Sequence, residues 1–139
     1  MLKTALSQYG VKEIVGEEDN QTIVNYAKEA GFSWVDNDET PWCSIFMNWV
    51  ALRAGYERSD KANARSWLNV GEKVESPVTG DVVVFKRGNS SWQGHIGIFV
   101  RTDGDLVYVL GGNQSNMVNI KPYNKNKVLG YRRLKKIEK

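Results

Sequence analysis

Cys43 and His95 are the only cysteine and the only histidine in this 139-residue chain. Cys43 lies in Glu39-Thr40-Pro41-Trp42-Cys43-Ser44-Ile45-Phe46, at the head of a helical pattern. His95 lies in Gly94-His95-Ile96-Gly97-Ile98-Phe99-Val100, within the alternation of a strand. A lone cysteine with a distant histidine is a candidate nucleophile and base. The unpaired N–H groups and dipole of a first helical turn favour a thiolate and so predict a lowered thiol pKa for Cys43. Histidine is the one side chain whose ordinary pKa suits proton transfer near neutrality. The blander alternatives are a buried inert thiol and a structural histidine on a wet strand face.

The third candidate is Asn113, in Val109-Leu110-Gly111-Gly112-Asn113-Gln114. It ends the strand that pairs through a hairpin with the His95 strand. An amide oxygen there would fix the imidazole tautomer, although two preceding glycines equally suit a turn. Gln114 and Asn116 are weaker candidates for the same role. Glu39 could orient a substrate amine, polarise the site or complement the helix start; beside a thiolate it would raise the thiol pKa. Asp36 and Asp38 lack the glycine and distal glutamate of a calcium loop.

These residues need a helix and a sheet to bring them together. Residues 2–9 and about 20–30 read as short helices, with Ile23, Val24, Ala27 and Ala30 near helical spacing. The third helix is the best defined. Thr40 is its expected N-cap and Pro41 its first residue. Trp42, Ile45, Phe46, Trp49 and Val50 form one apolar face, and Gly55 is the stop. A fourth helix is expected over about 60–70. After Gly71 the period changes. Residues 81–86, 94–101, 105–110, 117–120 and 128–133 read as strands. Asp103-Gly104 signals a hairpin. Within the His95 strand, Ile96, Ile98 and Val100 share the core face, and Gly94 and Gly97 leave room beside His95 for a helix end or a substrate. Helices first and antiparallel strands after predict an α+β fold, with residues 1–139 as one domain.

Composition narrows the function. Hydrophobic residues make up 41% and charged residues 25%, which argues against disorder. One cysteine excludes an internal disulfide, and one cysteine with one histidine leaves too few ligands for a usual zinc site, so no metal or cofactor is expected. No apolar run has signal-peptide or membrane-span length. Synthesis in a cytoplasm without a classical cleaved signal is the expectation. The net charge of +3 is too small to argue nucleic-acid binding. Its clearest cluster, Arg132, Arg133, Lys135, Lys136 and Lys139, reads as a solvated tail or a loose polyanion contact.

Several segments together resemble the CHAP and NlpC-like papain-fold cell-wall hydrolases of bacteria and phages. They are Glu39–Cys43, Ala64–Leu68, Pro77–Phe85, Gly94–Gly97, Leu110–Gln114 and Leu129–Arg133, in that order, spanning about residues 8–133. The resemblance implies a papain-like fold in which the cysteine helix packs on an antiparallel sheet of about five strands. It implies Cys43 as nucleophile, His95 as general base and Asn113 as the inferred third residue. It implies a peptidoglycan amide as substrate, cleaved through a thioester without a metal. Oxyanion donors would be backbone N–H groups, including that of Cys43, with Glu39 nearby. Trp42, Trp92 and Trp34 would rim the groove with Gln114, each tryptophan being equally suited to the core. A monomer acting at the cell wall is expected, as a stem-peptide endopeptidase or an N-acetylmuramoyl-L-alanine amidase of endolysin type. A secreted antibacterial amidase toxin and a catalytically silent wall- or protein-binding module are the alternatives.

Overall fold

The computed structural model describes residues 1–12, 21–32 and 42–137. Its helices are α1 (Leu2–Leu6), α2 (Gln21–Glu29) and α3 (Cys43–Ala54), followed by a 3-10 helix (Ala64–Asn69) where a fourth helix was expected. Six strands follow: β1 (Glu72–Val74), β2 (Val82–Lys86), β3 (Gly94–Asp103), β4 (Leu106–Gln114), β5 (Met117–Asn124) and β6 (Val128–Arg133). They form one antiparallel sheet in the order β1-β6-β2-β3-β4-β5. The fold is α+β, as expected, with one strand more than the sequence showed. β1 has only three residues and a mostly exposed pattern, so no apolar alternation announces it.

The sheet is apolar on both faces. Val82, Val84, Ile96, Ile98, Leu110 and Val118 pack with the helices. Val83, Phe85, Phe99, Val107 and Val109 form a second, smaller cluster. Strand alternation assigns the two sets, since neighbouring residues point to opposite faces. The β3–β4 hairpin pairs Asp103 with Leu106, so its turn is Gly104-Asp105, with Gly104 at φ 59°.

α3 runs through the core and differs from the amphipathic helix expected. Every residue from Cys43 to Ala51 is buried, including Ser44 and Asn48. A helix buried on all sides must satisfy its polar side chains internally. Ser44 Oγ donates to Lys61 O (2.7 Å) and accepts from Trp67 Nε1 (2.9 Å). Asn48 Nδ2 donates to Ser44 O (2.9 Å) and Lys61 O (3.1 Å), and its Oδ1 accepts from Asp60 N–H (2.8 Å). These bonds tie the first turn of α3 to the segment 59–67. The helix ends at Gly55 in the left-handed conformation, φ 81°, as expected.

Two of the basic residues assigned to a solvated tail are structural instead. Arg133 donates to both carboxylate oxygens of buried Asp81, at 3.0 Å each. Arg132 Nε donates to Leu68 O (3.1 Å). Lys139 lies outside the described residues.

Candidate active site

Cys43 is the first residue of α3, with Trp42 at the cap position. The helix therefore begins later than the Thr40 cap expected; Thr40 and Pro41 lie outside the described residues. Trp42 is 1% exposed, in ring contact with Tyr26 and Phe46. It is a core residue and does not rim a groove. Its burial next to Cys43 holds the helix start in place. Trp92 is 69% exposed, in a loop braced by Arg65, which donates to Ser90 O (2.6 Å) and Gln93 O (2.8 Å). Glu39, Trp34, Asp36 and Asp38 lie outside the described residues.

Cys43 is buried, with 8% of its surface exposed. Burial pushes its pKa up, while the N–H groups of Ile96, Ser44 and Cys43 and the charge of Arg87 pull it down. The lowered pKa expected from the helix start is thus corrected. The N–H groups act in the anticipated direction, but desolvation of the charged form outweighs them. The Ile96 N–H that faces the sulfur belongs to the residue after His95, so α3 meets β3 at the candidate base. No hydrogen bond joins the Cys43 and His95 side chains among the described residues. Such pairs are often looser in unliganded enzymes than with substrate in place.

His95 is 5% exposed, its ring against Phe85 (6.3 Å between centroids) and Tyr123 (5.2 Å). Its Nε2 is 2.9 Å from Gln114 Oε1. The orientation of that amide is set by its other end. Gln114 Nε2 donates to Asn119 O (2.8 Å), Asn119 Oδ1 (3.0 Å) and Val109 O (3.2 Å). Asn119 Nδ2 returns a bond to Gln114 O (3.1 Å). With the NH₂ committed to three acceptors, Oε1 must face the ring, so His95 Nε2 carries the proton. Nδ1 is left as the basic nitrogen of the neutral imidazole. Burial draws the His95 pKa down to about 4; the Gln114 bond opposes this, and the charges of Arg87 and Lys121 reinforce it. At neutral pH the pair is a neutral thiol and a neutral imidazole.

The amide on His95 is therefore Gln114, and Asn113 does not fill that place. Strict alternation along β4 would put Asn113 on the face of Val107 and Val109, the His95 side. The β4–β5 register shifts between Gly111 and Gln114, and Asn113 takes the left-handed conformation, φ 58°. A bulge of this kind re-aims the next side chain. Gln114 swings toward His95, and Asn113 lines the mouth of the adjoining cavity. A methyl group on Gly111 would stand 2.9 Å from Gln114 Oε1, so this approach needs a glycine. Gly97 serves packing: a methyl group there would collide with Val109 Cγ1, so it leaves no room for substrate. Gly94 is likewise closed off, by Phe85 O at 2.6 Å.

Asn119, Tyr123 and Arg87 were missed by the sequence reading. Asn119, Lys121 and Tyr123 follow a period of two along β5, which would have placed them on one face. Nothing in the sequence linked that face to His95. Beside His95 and Gln114 opens a cavity of about 240 Å³, lined also by Lys86, Arg87, Lys121 and Tyr123. No group of three or more potential metal ligands occurs among the described residues. No helix among them is long and apolar enough to cross a membrane.

The fold has a counterpart among solved structures. The solved structure of NlpC1 from Trichomonas vaginalis superposes with a TM-score of 0.56 at 18% identity, covering 96% of this chain and 43% of NlpC1. The chain thus spans less than half the length of that protein, and the likeness is one of fold: a papain-like domain with the cysteine helix against the sheet. No curated protein matches the chain in sequence. The model of the CHAP domain matches residues 35–113, a stretch that holds both Cys43 and His95. Because that match covers more than half of the chain, this protein belongs to the CHAP domain family, whose members are generally cysteine- and histidine-dependent peptidases or amidases.

Proposed function

We propose that this chain is a thiol hydrolase that cleaves an amide bond of peptidoglycan, with Cys43 as nucleophile, His95 as general base and Gln114 as the group that orients His95. The observation that carries this reading is the Asn119–Gln114–His95 relay, which leaves Nδ1 as the basic nitrogen next to the strand residue that meets the thiol. Gln114 thus takes the part first assigned to Asn113.

The resting pair is neutral, so the proton moves as the bond forms. Nδ1 takes the Sγ proton while sulfur attacks the carbonyl carbon. Backbone N–H groups at the start of α3, that of Cys43 among them, receive the oxyanion. On collapse the C–N bond breaks, the imidazolium protonates the leaving amine, and a thioester remains on Cys43. His95 then deprotonates a water that attacks the thioester, releasing a carboxylic acid and restoring the thiol. A preorganised neutral pair avoids holding a buried ion pair, which is costly to desolvate. The exposed Trp92 would stack on sugar or peptide of the substrate. The site of action would be the bacterial wall, reached as an endolysin reaches it, with a single copy of the chain sufficient.

The test is digestion of purified peptidoglycan with Cys43→Ala as control, read by mass spectrometry. Free stem peptides on intact glycan would identify an amidase, and shortened stems an endopeptidase. Cys43→Ala should release nothing while melting as the wild type does. An alkylatable Cys43 with no products from walls of several chemotypes would overturn the wall substrate.

A further inference from the structure

The cavity beside His95 has a one-sided electrostatic lining. Lys86, Arg87, Lys121 and Lys127 all contribute to its wall, and no carboxylate does among the described residues. They come from separate places in the fold: the end of β2, the loop after it, the middle of β5 and the turn before β6. Lys121 Nζ is held by Ser115 Oγ at 2.9 Å, which anchors one of the four beside the β4–β5 turn. Arg87 and Lys121 lie close enough to act on the His95 ring, and Arg87 also acts on the thiol. Four basic residues thus share the wall of one small opening, and no described carboxylate stands among them there. Hydrolysis by Cys43 and His95 alone does not require them. An anion in the opening would gain charge-assisted hydrogen bonds from them.

We infer that this cavity is a subsite for a carboxylate of the peptide being cut, placed within a residue or two of the scissile amide. The inference rests on the peptidoglycan-hydrolase reading and deepens it, since stem peptides carry carboxylates that can be free or amidated. The cavity adjoins His95 directly, so its occupant belongs to the substrate's reacting region and not to a distant wall polymer. The enzyme would thus prefer walls with free stem carboxylates over amidated ones. Binding energy from this contact would act on the orientation of the amide over Cys43.

The experiment has two arms. In the first, one preparation of peptidoglycan is divided, and half is converted to carboxamides with carbodiimide and ammonia. The wild type should release fragments faster from the untreated half. Lys121→Gln and Arg87→Gln should each slow the untreated half by roughly two- to fivefold and narrow the difference. Equal rates on the two halves, or a difference unmoved in the variants, would overturn the subsite. In the second arm, Cys43 is alkylated with iodoacetate and with iodoacetamide. The charged reagent should be favoured, the preference falling in both variants and at high salt. An unchanged ratio would overturn the subsite independently of any wall. If neither half is digested, the peptidoglycan reading fails, and the alkylation ratio alone then decides whether an anion site exists.

Discussion

Two buried polar clusters flank the start of α3, and they differ in what they leave over. Behind the helix, Ser44 and Asn48 bond to Lys61 O, Asp60 N–H and Trp67 Nε1. That cluster closes on itself: its donors meet carbonyls and hydroxyls, and none of its side chains titrates near neutrality. In front of the helix, Asn119 holds Gln114 and Gln114 holds His95. That cluster is open. It ends in a ring whose second nitrogen stays basic, and it borders a cavity. Both satisfy buried polar groups, as interiors demand. Only the second ends in a titratable ring beside a cavity, so the loose end of the network is the mark of function.

The comparison breaks first at His95. His95→Gln should keep a bond to Gln114 yet lower turnover by roughly 10²–10⁴-fold, the scale of a lost general base; steady-state hydrolysis and iodoacetamide kinetics would both report it. A normal alkylation rate in that variant would separate the thiol from the ring. The same residue should make stability depend on acid. With a folded pKa of about 4 against 6.5 for the free group, the unfolded chain binds more protons between those values. Stability should therefore be full above about pH 6.5 and fall by about 3 kcal/mol as the pH drops to 4. Melting curves across that window should lose this contribution in His95→Gln.

Gln114→Ala comes next. It orphans the Nε2 proton and releases the tautomer, so turnover should fall by about one to two orders of magnitude with about 1–3 kcal/mol of stability. Asn113→Ala, at the cavity mouth, should cost much less in rate. A reversed order would return the orienting role to Asn113. The smallest effect on rate belongs to the closed cluster. Asn48→Ala should remove about 1–3 kcal/mol of stability while turnover per folded molecule holds. Loss of turnover without loss of stability would make that cluster part of the site.

The legibility of these regions in the sequence was uneven for physical reasons. Five of the six strands and the cysteine helix were readable because their apolar periods are regular. β1 was not, being short and exposed. α3 reads as an amphipathic helix because its apolar stripe is clear. The burial of residues 43–51 depends on the segment 59–67 covering the polar side of the helix, which periodicity along α3 cannot reveal. The basic tail was misread for a similar reason: Arg133 and its partner Asp81 stand 52 positions apart.

By itself the sequence determined the pieces: a lone thiol at a helix start, a lone imidazole on a strand, and an amide-bearing turn on the neighbouring strand. It determined them because residue type sets chemistry and local periodicity sets helix or strand. Tertiary structure alone decided which amide faces the ring, which way the thiol pKa moves, and that four cations share one cavity with His95. A bulge of one residue exchanges Asn113 for Gln114, burial outweighs the helix-start N–H groups at Cys43, and only the folded sheet brings together the end of β2, the middle of β5 and the turn before β6. Each of these is a balance between groups distant in the chain, and no local pattern records it.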